Sequence, residues 1–310
     1  MLTHNLIVLF EVNMDILTIN PDDYQGGIGV WASFNPAFTN RNRRNVTEPI
    51  SGVHVHARKR LGIAKCIDYT FDLVILELSS YGMGFREVAN NMMLSYFIAE
   101  NLGHKIKSLK CPHCGHPHLD EGELNTKPHS HHLCLNCNRD FHDIEESVSN
   151  PLMEIRQTMI HRRPEPPVAA VNREVDILKD EYPGGIEMYG THKALIWTST
   201  VPQESGIHLH CYAEGGKNRL VDDTYGIVDL NGVRLNPTET QLLQAQLISS
   251  YLRPFVKTVY CPKCHSPQKD IHDRACTPHV NFTCENCNHS FHEETPCVSN
   301  SMFDLLVSDL

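Results

Sequence analysis

Eight of the twelve cysteines fall in Cys-x-x-Cys pairs: Cys111 with Cys114, Cys134 with Cys137, Cys261 with Cys264, and Cys284 with Cys287. In each group of four, nineteen residues separate the two pairs. Four thiolates at that spacing can close a tetrahedron around one zinc ion, so the chain is expected to hold two structural Zn2+. A closed thiolate cage folds the loop around it and leaves no position for a substrate, so catalysis would have to sit elsewhere.

Histidine supplies the remaining chemistry. The insert of the first group carries His116, His118, His129, His131 and His132, but only His129 recurs in the second, as His279. His142 recurs as His292, each after a phenylalanine that should pack on the cysteine loop, which makes that histidine a supporting or surface residue. The pair His54-x-His56 recurs as His208-x-His210. On a strand, residues i and i+2 share a face, so Val53 and Val55, or Ile207 and Leu209, would enter the core while both imidazoles face out. Two adjacent imidazoles are half of a metal site, or simply the wet side of a sheet. The reading favoured here adds His129 and His279 as third ligands, which gives three histidines with an open position able to activate water. Asp68 and Asp120, with counterparts Asp222 and Asp270, are the candidate catalytic carboxylates. The histidines peculiar to the first insert would widen its substrate-facing surface. That surface and Arg58, Lys59 and Arg60, unmatched in the second copy, make the first copy the richer candidate and the second a degenerate partner.

The cysteine segments 111–137 and 261–287 resemble zinc-ribbon and treble-clef modules. The resemblance spans about forty residues in each half. It implies zinc binding alone, because such modules serve enzymes, adaptors and nucleic-acid binders alike.

The two ribbons are one unit written twice. At an offset of 150 residues, positions 111–150 match 261–300 at Cys111, Pro112, Cys114, Pro117, Asp120, Pro128, His129, Cys134, Asn136, Cys137, Asn138, Phe141, His142, Val148, Ser149 and Asn150. Upstream, GVHVHA at 52–57 aligns with GIHLHC at 206–211, and Lys65, Asp68 and Thr70 align with Arg219, Asp222 and Thr224. The expected fold is α+β: a tandem duplication of a small β-sheet unit with one helix and a C-terminal four-cysteine ribbon. The divisions are an N-terminal extension at 1–13, a first repeat at 14–158, a proline-rich linker at 159–172 and a second repeat at 173–310. Short β-type runs open each repeat, and the first helix should cover about 86–102, capped by Gly103. Thr238 and Gln241 read as a capping box for the second, which Pro254 should stop. The halves are expected to pack as an intramolecular pseudo-dimer.

Composition narrows the function. Apolar residues make up 41% and charged residues 21% of the 310, enough to bury a real core. A net charge of -10 makes bulk nucleic-acid binding unlikely, and the basic clusters are local: Arg41, Arg43 and Arg44, then Arg58 to Arg60, then Arg162 and Arg163. Paired metal-binding cysteines fit a reducing compartment, and the apolar run 6–10 is too short for a leader or a membrane span, so a cytoplasmic protein without membrane contact is expected. No P-loop, dinucleotide fingerprint, nucleophile elbow or His-Glu-x-x-His helix occurs. The reading that results is a metal-dependent hydrolase using the His-x-His strands, with an unknown substrate and one or two metal ions beyond the ribbons. The alternatives are a non-enzymatic zinc-ribbon adaptor for a protein partner and, less favoured, a nucleic-acid-binding module.

Overall fold

The computed structural model describes residues 15–33, 36–39, 52–78, 81–85, 92, 95–100, 105–125, 127–216, 218–252 and 255–304. The arginines at 41–44, the segment 1–13 and most of the helix expected at 86–102 lie outside them; residues 95–100 are helical. The fold is α+β, with strands dominant. Among the described residues, no helix is long and apolar enough to cross a membrane.

Two four-stranded antiparallel sheets form the centre. One runs Ile196–Trp197, Gly27–Ser33, Gly52–Arg58, Ile67–Phe71; the other runs Phe38–Thr39, Gly185–Gly190, Ile207–Tyr212, Arg219–Tyr225. The outermost short strand of each sheet comes from the opposite half of the chain, and the exchange is reciprocal. It arises because neither half closes its core alone. Leu195, Ile196, Leu247 and Ile248 pack with Val30, Val53 and Val55, while Ala37 and Phe38 pack with Met188, Leu209 and Leu243.

A smaller sheet accompanies each large one. In each, the first strand pairs in parallel with a strand far along the chain: Ile16–Ile19 with Leu73–Leu78, and Glu174–Ile177 with Ile227–Leu230. The helix Pro237–Leu252 packs chiefly on Gly185–Gly190, burying Leu242 and Leu243. Its start corrects the expected capping box. The Asn236 side chain accepts the Thr238 N–H at 3.0 Å, and Pro237 takes the first helical position, where a missing N–H costs nothing.

Each ribbon is a three-stranded sheet. Ile106–Lys107, Arg139–Ser149 and His129–Cys134 make the first, and Val256–Lys257, Ser290–Ser299 and His279–Thr283 the second. Their shared residues have structural work to do. Asp120 accepts the Ser149 N–H at 2.6 Å and Asp270 the Ser299 N–H at 2.6 Å. Asn150 and Asn300 accept the N–H groups of Leu152 and Met302. The helix Leu152–Arg162 follows the first ribbon and carries into the segment read as linker. There, buried Arg156 pairs with Glu165, which also meets Lys193 of the second half.

Candidate metal centres in a shared pocket

Strand alternation and register build each His-x-His centre. Along Gly52–Arg58, Val53, Val55 and Ala57 are wholly buried, and His54 and His56 take the opposite face. The neighbouring strand places Thr70 directly across from His54 and Asp68 across from His56, and cross-strand partners share a face. The result is a compact triad. His54 Nε2 and His56 Nε2 lie 2.8 Å apart, and Asp68 Oδ1 lies 3.4 and 3.1 Å from them. The second sheet repeats it: His208 faces Thr224, His210 faces Asp222, and the three donor atoms lie 3.1, 3.4 and 3.6 Å apart.

These spacings are compatible with three donors around one ion, and the His–His contacts are also hydrogen-bond distances. With metal–donor bonds of about 2.0–2.1 Å, a tetrahedral ion spaces its donors about 3.3–3.4 Å apart, and an octahedral ion spaces neighbours about 2.9 Å apart. The remaining contacts prepare the donors. His54 Nδ1 and His208 Nδ1 sit 2.9 and 3.0 Å from the hydroxyls of Thr70 and Thr224, which orients each ring with Nε2 inward. Burial pushes His56 down to about 3 and His210 down to about 4, so both imidazoles are neutral at neutral pH, the form in which imidazole ligates metal. Burial alone would raise Asp68 and Asp222. Hydrogen bonds from the facing histidines and nearby Lys65 outweigh it and hold both carboxyls well below their usual range. Asp68 Oδ1 and Asp222 Oδ1 are buried and face the histidine Nε2 atoms at 3.1–3.6 Å, so each carboxylate turns one oxygen toward the imidazole pair.

The two centres are cross-linked. Lys65 Nζ lies 3.0 Å from Asp68 Oδ2 and 3.5 Å from Asp222 Oδ2. Arg219 Nη1 lies 3.2 Å from Asp222 Oδ2 and 3.3 Å from Asp68 Oδ2. Both cations hold the outer carboxylate oxygens and leave each Oδ1 turned toward the histidines. Removing such support commonly costs 10–100-fold in metal affinity. Arg219→Ala should therefore weaken binding about tenfold or more at both centres, including the triad of the other half. Chelator competition on single-centre backgrounds would measure this; an effect confined to the Asp222 centre would break the proposed link.

Both His-x-His pairs line one cavity of about 450 Å3, together with Asp222, Trp31, Trp197, Tyr189 and His192. The walls differ behind the two centres. Opposite His210 stands buried Glu187, accepting the hydroxyls of Tyr189 and Tyr212 and lying 3.6 Å from His210 Nδ1. The equivalent position opposite His56 is Gly29, where a Cβ would come within 2.3 Å of Trp31, whose ring packs 4.7 Å from His56. One centre is thus backed by a carboxylate and the other by indole.

Several expectations need correction. His129 does not join His54 and His56: its Nε2 lies 3.2 Å from Asp120 Oδ1 on the ribbon, and the third donor at the strand pair is Asp68. His279 likewise faces Asp270, at 3.3 Å, while Asp222 completes the second triad. The reason is register, since a residue twelve positions after the second histidine returns on the adjacent strand. Asp68 thus stands with His54 and His56 as a group of donor types that could hold a metal ion. Asp120 is buried in the ribbon and is not among the residues lining the cavity. The second half forms the same His–His–Asp grouping and adds Glu187 beside it. His118 and His132 are buried beside Asp120 rather than spread on a surface. His142 and His292 are exposed on the ribbon strands.

The cysteines do meet as quartets, Cys111, Cys114, Cys134 and Cys137, and Cys261, Cys264, Cys284 and Cys287. Facing sulfurs are 3.7 Å apart in the first ribbon and 3.5–3.7 Å in the second. Four thiolates bound at about 2.3 Å to zinc would lie about 3.8 Å apart, so both quartets are geometrically compatible with zinc. The His116 N–H and the Asn136 amide draw Cys114 down to about 6 and Ser266 draws Cys264 down to about 5, while burial and the neighbouring thiols push Cys137 up to about 12.

Glu187, Trp31 and Trp197 carry no spacing signal in the sequence and were missed. Lys65 and Arg219 were visible as an aligned basic pair without an assigned role. No protein-family model matches the chain, and no curated protein or solved structure is detectably similar to it.

Proposed function

We propose that the chain is a tandem duplication whose halves together form a zinc-dependent hydrolase. Its repeats span 14–158 and 173–310, and its two centres are His54–His56–Asp68 and His208–His210–Asp222. The observation that supports this best is the convergence, twice, of two imidazoles and one carboxylate, with both imidazole pairs lining one cavity. A bound zinc with an open position would supply a water acidic enough to serve as nucleophile at neutral pH. The chain's own residues orient the donors through Thr70 and Thr224, fix the carboxylates through Lys65 and Arg219, and offer aromatic walls to an apolar or flat substrate body. The thiolate quartets serve as two structural zinc sites. In this reading the protein works in the cytoplasm, where paired thiols stay reduced.

With His129 away from the strand pair, two imidazoles alone favour the adaptor. Asp68 and Asp222 restore a three-donor site, which supports the enzyme. The same donor types also serve non-haem iron. Protein purified under air should hydrolyse members of a panel of chromogenic esters and phosphoesters, lose that activity to a mild chelator and regain it with Zn2+. Iron at the triads would overturn the hydrolase in favour of oxidative chemistry. Two zinc ions per chain without metal-dependent turnover would overturn it in favour of the adaptor.

A further inference from the structure

We propose that the first ribbon holds another divalent transition-metal ion beside its thiolate quartet, bound by His118, Asp120 and His132. The donor atoms of the first three lie within 4.8 Å of one another. His118 Nε2 is 2.9 Å and His132 Nδ1 3.3 Å from Asp120 Oδ1. All three residues are 5% exposed or less. The Ser149 N–H occupies Asp120 Oδ2, so the other oxygen alone is turned to the imidazoles. His132 presents Nδ1 to Asp120 Oδ1, and its other ring nitrogen, Nε2, is buried with no hydrogen-bond partner.

The second ribbon acts as an internal control. Its His279–Asp270 contact at 3.3 Å repeats His129–Asp120 at 3.2 Å, so that pair belongs to the framework both ribbons need. What differs is the remainder of the set, because Gln268 and Phe282 stand where the first ribbon has His118 and His132. Gln268 turns its amide to the Ser266 carbonyl, and Phe282 stacks on Phe291 as His132 stacks on Phe141. Packing at the two positions therefore does not require imidazole. Burying two imidazoles where glutamine and phenylalanine suffice carries a desolvation cost that metal ligation offsets. Two nitrogens and a carboxylate suit zinc or a neighbouring divalent ion.

The test transplants one ribbon's residues into the other. Full-length His118→Gln/His132→Phe protein, loaded with Zn2+ and desalted, should contain one ion per chain fewer than the parent. Cobalt substitution should show the thiolate-to-metal charge-transfer band of the quartet unchanged. The reciprocal Gln268→His/Phe282→His protein should gain one ion. The pocket centres are untouched in both variants, so the difference is independent of whether they bind metal. An unchanged ion count in the first variant would show a hydrogen-bonded polar cluster only. If that variant proves insoluble, the reciprocal one decides, and no gained ion overturns the site.

Discussion

Replacing Cys287 by serine should release one zinc per chain and lower the melting temperature by about 10 °C, and Cys137→Ser should do the same through the first ribbon. Structural zinc contributes on the order of 10 kcal/mol to folding small thiolate modules. Even about 4 kcal/mol of that, lost from the whole chain, corresponds to roughly 8–16 °C. The loss should spread beyond the ribbon in the second half, because Ser249 Oγ of the long helix donates to the Ala275 carbonyl in the ribbon insert. Inductively coupled plasma analysis and a thermal melt measure both effects. Zinc content unchanged in either variant would remove the quartet assignment.

The second large effect falls on chemistry. His54→Ala combined with His208→Ala should remove two metal ions per chain and lower hydrolysis on the chromogenic panel by about a thousandfold. That factor corresponds to about 4 kcal/mol of transition-state stabilisation, within what a Lewis-acid metal supplies. The far-ultraviolet circular dichroism should stay as in the parent, since both side chains are part-exposed on strands whose opposite faces carry the core. Equal turnover in parent and variant would place hydrolysis outside these centres.

How much of this was legible in the sequence depends on how local each cause was. The cysteine quartets were readable because ligand spacing is written along one loop. The His-x-His faces were readable because alternation is a property of a single strand, and Val53 and Val55 did enter the core. The third donor was not, because it is set by register between strands. Asp68 meets His56 only once the turn between them fixes which residues stand opposite. His129 looked better because both ribbons keep it, yet its shared partner is Asp120, and the pair serves the ribbon. The exchange of Phe38–Thr39 for Ile196–Trp197 left no mark that a two-residue strand can carry, although it joins the halves around one cavity. Gly29 and Glu187 illustrate the limit further. They occupy matching positions in the two halves, but only the nearness of Trp31 shows why one must be glycine.

The most direct test of the central claim is a crystal structure of zinc-loaded protein with anomalous difference maps on both sides of the zinc absorption edge. Peaks should appear at the two thiolate quartets and also at His54–His56–Asp68 and His208–His210–Asp222, each about 2.0–2.1 Å from its three donors. Quartet peaks at full occupancy with none at either triad would contradict the metal-dependent enzyme.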